Sequence, residues 1–366
     1  MGTIIGVGLF TIPYIAAISG ILPLIFYMAV LAAVQNYLHL LYAEIVLSTQ
    51  GSHRLPGYVE KYNGRFGKFI TLIITIFSDY GAMLAYVIVG GLFLHQLLSP
   101  IFGGGILIYA SILFLFEAII VFFGIRLIAG AEFIMTAFLI LIIGLISWNG
   151  LAFIKLDNYT LVNWQNIFLP YGPIFFAIGG MAAIPEVCKL LAREKNKIKS
   201  AIAWGTYLSA ALMLIFILVI VGVTGANTTP DTLAGLSQVF GGGIIKIALV
   251  FGLLAIFTSM ISIAQASREV FWWDFKLNKN LAWALACFTP FFIYLIGIRD
   301  ITKVVSLTGA ISGGILGVAA IYLIFKVKQK CERDSAIKNK IDKITGFGLS
   351  LLFVLGLIYE IWNVLK

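Results

Sequence analysis

Ile5-Gly6-Val7-Gly8-Leu9-Phe10-Thr11-Ile12-Pro13 opens an apolar run long enough to begin a membrane span, yet it holds two glycines and a proline. Glycine costs about 1 kcal/mol in a helix interior and proline about 3. Backbone groups freed at membrane depth persist only where they line a cavity or face protein. A second stretch repeats the pattern: Ile178-Gly179-Gly180-Met181-Ala182-Ala183-Ile184-Pro185-Glu186. Both run Ile-Gly, a few residues, then Ile-Pro, and they lie five spans apart. Interrupted helices at corresponding positions of two halves point to a transporter's ligand site. A proline kink with close helix packing accounts for the first stretch alone but leaves its partner unexplained.

The surroundings are those of a polytopic membrane protein. The chain has 366 residues, 61% hydrophobic and 11% charged, with a mean hydropathy of +1.04; a soluble domain carries about 25% charged residues. A membrane helix needs about 20 mostly apolar residues. Such stretches lie at 3–19, 21–49, 67–98, 105–124, 127–150, 168–190, 199–224, 244–268, 280–297, 303–326 and 345–365. Of 25 Lys and Arg, 20 fall in the gaps on one side, leaving Lys155, Lys246, Arg299, Lys303 and Lys366 on the other. By the positive-inside rule the N-terminus is cytoplasmic and the C-terminus outside, in a multi-pass cell-membrane protein. The first interrupted span then runs outward and the sixth inward, as an inverted repeat requires. The net charge of +9 is therefore topology rather than a nucleic-acid footprint.

Smaller features fit this frame. No signal-peptide layout precedes the first span. Only five residues precede Gly6, whereas an inner half-helix takes about ten, which implies a late start or a short inner half. The outer segment 225–243 is expected to hold a short surface helix. Cys188, Cys287 and Cys331 share no metal or redox spacing and read as packing residues, and His39, His53 and His95 are scattered. With no HExxH, no acidic metal motif and no Cys–His pairing, an enzyme and a bound cofactor are not expected. Gly309, Gly313 and Gly317, four apart, read as a close helix contact.

Gly6-Val7-Gly8-Leu9-Phe10-Thr11-Ile12-Pro13 resembles the first-helix signature of the amino acid–polyamine–organocation superfamily. Tyr42-Ala43-Glu44 with Leu55-Pro56-Gly57-Tyr58, then Gly81-Ala82-Met83-Leu84-Ala85-Tyr86 and Pro185-Glu186, are similar to its amino acid/auxin and aromatic amino acid permease branches. The resemblance implies an all-α membrane protein of the LeuT type: a 5+5 inverted repeat with discontinuous helices 1 and 6, plus an eleventh helix. One permease domain would fill 1–366, with repeat one at 1–150, repeat two at 168–326 and the additional helix at 345–365. The function it implies is cation-coupled symport of an amino acid by alternating access. Neither break carries an acid or base for a charged side chain, which favours a neutral or aromatic substrate. The other reading is an amino-acid-sensing receptor that binds without transporting.

The resemblance also implies a substrate site at the two breaks. Freed N–H groups around Gly6, Val7 and Gly8 would take a carboxylate, helped by the positive end of a half-helix. Carbonyls near Gly179 and Gly180 would take an ammonium. Tyr86, Phe176 and Ala182 would line the side-chain pocket. Na⁺ or H⁺ is the coupling ion. For Na⁺, the hydroxyls of Thr258 and Ser259 would face first-helix carbonyls such as that of Ile5, unless they merely bond their own helix. For H⁺, Asp79 is the preferred carrier and Glu117 the other deep carboxyl. Glu44 and Glu132 lie near inner span ends, where solvent contact explains them, and Glu186 follows the second break as a gate or vestibule residue.

Overall fold

A computed structural model describes the whole chain except residues 124–127, 238, 241, 331 and 366; the side chains of 128–135 and 364–365 also lie outside it. Glu132 and Cys331 therefore fall outside the described positions. The long helices are α1 (Gly8–Ser19), α2 (Ile21–Ser48), α3 (Leu55–Phe102), α4 (Ile106–Phe123) and α5 (Ile128–Leu151) in the first half. The second half holds α6 (Tyr171–Ala177) and α7 (Ile184–Leu190), then α8 (Ile198–Thr224), the short α9 (Leu233–Leu236), α10 (Gly242–Glu269), α11 (Lys279–Leu295), α12 (Ile301–Ile311) and α13 (Gly317–Gln329). The chain closes on α14 (Lys343–Leu365). Nine of the eleven expected spans each fall on one of these helices, while the sixth falls on α6 and α7 and the tenth on α12 and α13. Among the described residues, eight helical segments are long and apolar enough to cross a bilayer.

Both expected breaks are present. The first span becomes helical only at Gly8, after turns over residues 2–7. The sixth ends its first helix at Ala177 and resumes through a turn at Met181–Ala183 before α7. Around them, α1 packs on α6 and α8, α2 on α8 and α13, and α3 crosses the centre against α4, α10, α11 and α12.

Three boundaries differ from the sequence expectation. The third helix begins at Leu55, in a stretch expected to be loop. Its 48 residues would reach about 72 Å if straight, against a hydrocarbon core of about 30 Å. The chain resolves this at Gly64, whose φ of 73° breaks the helix and leaves 55–63 as a separate segment. The tenth span is interrupted by a wide helical turn at Ser312–Leu316 between α12 and α13. The short outer helix α9 is not on the surface: Thr232, Leu233 and Leu236 are buried, and the Thr232 hydroxyl donates to the Phe10 carbonyl at 2.6 Å.

The glycine stripe does make close contacts. A Cβ on Gly309 would strike the Gly172 carbonyl, one on Gly313 the Phe175 ring, and one on Gly317 the Phe353 ring. Cys188 and Cys287 are free and buried, as packing residues are.

Candidate functional site

At the first break the N–H groups of Ile4 and Ile5 turn back to the Met1 carbonyl (2.9 Å each), and Gly6 N–H donates to Ile4 (3.1 Å). Leu9 and Phe10 N–H donate to the carbonyls of Gly6 and Val7 at 3.2 and 3.0 Å. Among the described residues, no backbone hydrogen bond uses the N–H of Val7 or Gly8, or the carbonyl of Ile5. Two donors at the start of a 12-residue helix present partial positive charge to whatever faces them.

The second break is held from α2. Gln35 Nε2 donates to the Phe175 carbonyl at 3.3 Å, and Gly180 N–H donates to His39 Nε2 at 3.1 Å. His39 Nδ1 lies 3.0 Å from the Thr206 hydroxyl, which itself donates to Ile202 at 3.0 Å. Since Thr206 gives its proton to Ile202, Nδ1 must be the donor and Nε2 the acceptor, so His39 is neutral with its proton on Nδ1. Gln35 and His39 are four apart and share one face of α2. The carbonyls of Ala177 and Ile178 take no backbone hydrogen bond among the described residues.

The breaks face each other. A Cβ added to Gly8 would lie 2.8 Å from Ala177 Cα and nearer still to its Cβ, while Gly180 sits within 3.0 Å of Ile4 in the same construction. Between them lies a cavity of about 1050 Å³, counting the part open to solvent. Gly6, Val7, Gly8, Tyr86, Phe176, Gly179, Gly180, Ala182 and Asp79 all line it. Ala182 contributes more than a pocket wall, because its carbonyl accepts from Arg54 Nη1 at 2.6 Å.

The residues expected to hold an ion are split. The Ser259 hydroxyl donates to the Gly2 carbonyl at 3.0 Å, and both it and the Tyr86 hydroxyl press on Gly6. Thr258 instead donates to its own helix, to Leu254 and Ala255 at 3.1 Å each. Consecutive helical residues point about 100° apart, so the pair does not face α1 together. Ile5 is fully buried behind the cavity wall. Glu117 lies away from the cavity, fully buried beside the cluster of Met83, Phe114 and Cys287, with the Cys287 thiol as its polar neighbour. Glu44 is not solvated: it is buried and accepts from the N–H and side-chain amide of Asn339 at 2.7 and 2.8 Å.

Arg54 is the residue that the charge count hid. It is 4% exposed and bonds Glu269 through Nε (3.0 Å) and Nη2 (2.6 Å), Glu186 through Nη2 (2.6 Å), and Ala182 through Nη1. Burial opposes its charge, but the carboxylates of Glu269 and Glu186 outweigh that and hold its pKa above the ordinary value. A second cavity of about 1290 Å³, open solvent included, lies beyond it and is lined by Glu186, Lys189, Lys195 and Arg333. Arg54 alone among the described residues lines both cavities. Gln35, His39 and Arg54 were legible as polar side chains in or beside apolar spans; their partners were not.

Interrupted first and sixth spans enclosing a cavity within a helical bundle define a membrane transporter of the LeuT type. The solved structure of MhsT in complex with L-phenylalanine shares this fold, with a TM-score of 0.73 over 99% of this chain and 96% of that one, at 14% identity. The chain belongs to the tryptophan/tyrosine permease family, whose pattern it matches over residues 1–363. Among curated relatives, the tyrosine-specific transport system 1 of Haemophilus influenzae is 25% identical over 291 residues, 73% of this chain and 70% of that protein. This names the aromatic permease branch that the motifs resembled; the wider superfamily stays a resemblance. The chain is thus an amino-acid transporter and a multi-pass membrane protein.

Proposed function

We propose that the protein imports an aromatic amino acid, tyrosine or tryptophan, by cation-coupled symport with alternating access. The observation that carries this reading is the pair of facing breaks. Free N–H groups at Val7 and Gly8 oppose free carbonyls at Ala177 and Ile178 across one cavity. An α-amino acid offers a carboxylate to the first and an ammonium to the second. Phe176, Phe175, Tyr86 and Leu316 supply apolar faces for a ring. The family and the tyrosine-specific relative support the aromatic choice.

Two coupling-ion positions fit the side chains. Na⁺ would sit between the Ile5 carbonyl and the Ser259 hydroxyl, with Thr258 turned to its own helix, or H⁺ would ride on Asp79, which lines the cavity. Arg54 supports alternating access, because its ion pairs close the central cavity from the second one. The charge distribution supports a cytoplasmic second cavity, with the N-terminus inside and the C-terminus outside. One domain spans 1–366, with halves at 1–150 and 168–326 and an added helix at 345–365.

The test is uptake of labelled tyrosine and tryptophan into proteoliposomes under an imposed Na⁺ or H⁺ gradient. Accumulation above the equilibrium level is expected with one of the two gradients. Binding without accumulation under either gradient would overturn the reading.

A further inference from the structure

Among the buried oxygens without partners outside the central cavity, three belong to neighbouring helices near the start of α6. Glu360 on α14 is fully buried; its Oε1 accepts from Gly172 N–H at 3.1 Å, while its Oε2 has no hydrogen-bond partner. The hydroxyls of Tyr171 and Ser306, 5% and 2% exposed, are likewise unpartnered. The three residues come from α6, α12 and α14, which are brought into contact at Gly172 and Gly356. A Cβ built on Gly172 would lie 2.5 Å from both Glu360 Oε1 and the Ser306 carbonyl. A Cβ on Gly356, one turn before Glu360, would lie 2.5 Å from the Tyr171 hydroxyl.

Among the described residues the surroundings supply no positive charge. Among the described residues no Lys or Arg bonds Glu360. Lys303, one turn before Ser306 on α12, is exposed, and Lys326 and Lys328 lie at the opposite end of α13. The other titratable groups facing the cluster are phenols: Tyr171 itself, Tyr27 from α2 with its ring 6.4 Å from that of Tyr171, and Tyr359 on α14. A carboxyl group fully buried in a membrane helix with one oxygen unpaired is costly unless a positive charge joins it. The atoms on offer are hard oxygens carrying at most one formal negative charge, which suits a small monovalent cation.

We propose that Glu360, Ser306 and Tyr171 form a further cation site, which takes one monovalent cation, H⁺ or Na⁺, between α14 and the outer half of the broken sixth span. The site grips α6 at its outer end. The other end of that helix, about 10 Å away along seven residues, carries Phe175 and Phe176 into the substrate cavity. Occupancy therefore holds the outer half-helix, and its loss frees that half to move. Any role in coupling rests on the symport reading above; occupancy itself does not.

The experiment uses the full chain in nanodiscs without substrate. The thermal unfolding midpoint is followed against Na⁺ at pH 8, with choline as the balancing cation, and against pH from 5 to 8.5 in choline alone. A saturable rise with Na⁺ identifies Na⁺; a rise on acidification identifies H⁺. Glu360→Gln keeps an acceptor for Gly172 N–H but removes the charge, and should abolish that component. Ser306→Ala and Tyr171→Phe should each weaken it roughly tenfold in apparent affinity, and they keep the test open should Glu360→Gln not fold. Thr258→Ala combined with Ser259→Ala should leave the component in place. Equal responses in wild type and the Glu360, Ser306 and Tyr171 variants, or none in any, would mean the cluster holds only water and would overturn the proposal. A response lost in Glu360→Gln, in a protein whose uptake ignores both ions, would sustain the site and reject symport.

Discussion

Replacing Arg54 by alanine tests the gate most directly. The change removes a guanidinium with 5% side-chain exposure and four hydrogen bonds. Glu186, at 54% exposure, rehydrates and contributes little to the cost. Glu269, at 12%, is left buried with only Gln265 Nε2 at 3.0 Å, and the Ala182 carbonyl loses its donor. Stripping one partner from a buried pair costs about 3–5 kcal/mol; the lower end applies because a single carboxylate stays buried. About 3 kcal/mol, lost only in the closed-inside arrangement, shifts the open-to-closed ratio about a hundredfold. Arg54→Lys keeps the charge without the fork and should fall between. The assay places a reporter cysteine at Ser312, which lines the central cavity, with Cys188, Cys287 and Cys331 replaced. A membrane-impermeant thiol reagent is then added on the cytoplasmic face. Labelling should speed up by about two orders of magnitude in Arg54→Ala, with substrate binding kept within a few-fold and gradient-driven accumulation lost. An unchanged labelling rate, or full accumulation, would refute Arg54 as the barrier between the cavities.

Three further outcomes follow from contacts already described. Gly8→Ala puts a Cβ 2.8 Å from Ala177 Cα, a backbone atom that cannot step aside; overpacking of that kind costs about 1–3 kcal/mol, so tyrosine binding should weaken about 5- to 150-fold, whereas Gly6→Ala meets only the side chains of Ser259 and Tyr86 at 3.1–3.2 Å and should lose less. Calorimetry that ranks the two the other way would contradict the facing-break geometry. Ser259→Ala should remove sodium dependence more completely than Thr258→Ala, because only Ser259 reaches the first break; a pH-driven uptake that ignores sodium rejects that ion position. The loop before α14 is clamped where Glu332 accepts from Gln50 N–H at 2.5 Å and from Lys61 at 3.0 Å, which hold its pKa below the usual carboxyl value. A depressed folded pKa means the clamp is fully present above the ordinary value of about 4.3 and is lost as pH falls through the lowered one. The protection factor of the Gln50 amide, measured against the intrinsic exchange rate at each pH, should fall in acid and, at pH 7, in Glu332→Gln; equal protection factors in both proteins at both pH values would argue against the clamp.

What the sequence revealed and what it withheld divide along a physical line. Spans and breaks are local: hydropathy is summed over about 20 neighbours, and the cost of Gly6, Gly8 or Gly179 to a helix is incurred where they sit. Close contact at Gly309, Gly313 and Gly317 was legible too, since nothing but a neighbouring backbone or ring explains small residues at that spacing. Apart from the early start of α3 and the turn between α12 and α13, the misreadings are of partners. Glu44 looked solvated because Asn339 is 295 residues away, and Arg54 looked like one more inside charge because Glu269 is 215 residues away. The α9 segment looked superficial because nothing local announces that Thr232 reaches Phe10. The direction of Thr258 depended on the rotation of α10 about its own axis, which residue spacing leaves open.

The sixth span is gripped at three heights by three different parts of the chain. Glu360 from α14 holds Gly172 at its outer end; Gln35 and His39 from α2 hold Phe175 and Gly180 at the break; Arg54, from the turn before α3, holds Ala182 and Glu186 below it. An unbroken helix would transmit any displacement along its whole length, so the outer and inner grips would have to open together. The non-helical stretch at Ile178–Gly180 uncouples them, and each can release while the other holds. That the grips are polar matters as much as their position. A hydrogen bond that opens toward water exchanges one partner for another and loses only about 0.5–1.5 kcal/mol net. Uncovering apolar surface costs about 25 cal/mol for every Å² and recovers nothing from the solvent. Under the proposed alternating access, grips of this kind would keep the open and closed arrangements close in energy on each side, so that a bound substrate with its coupling cation would suffice to choose between them.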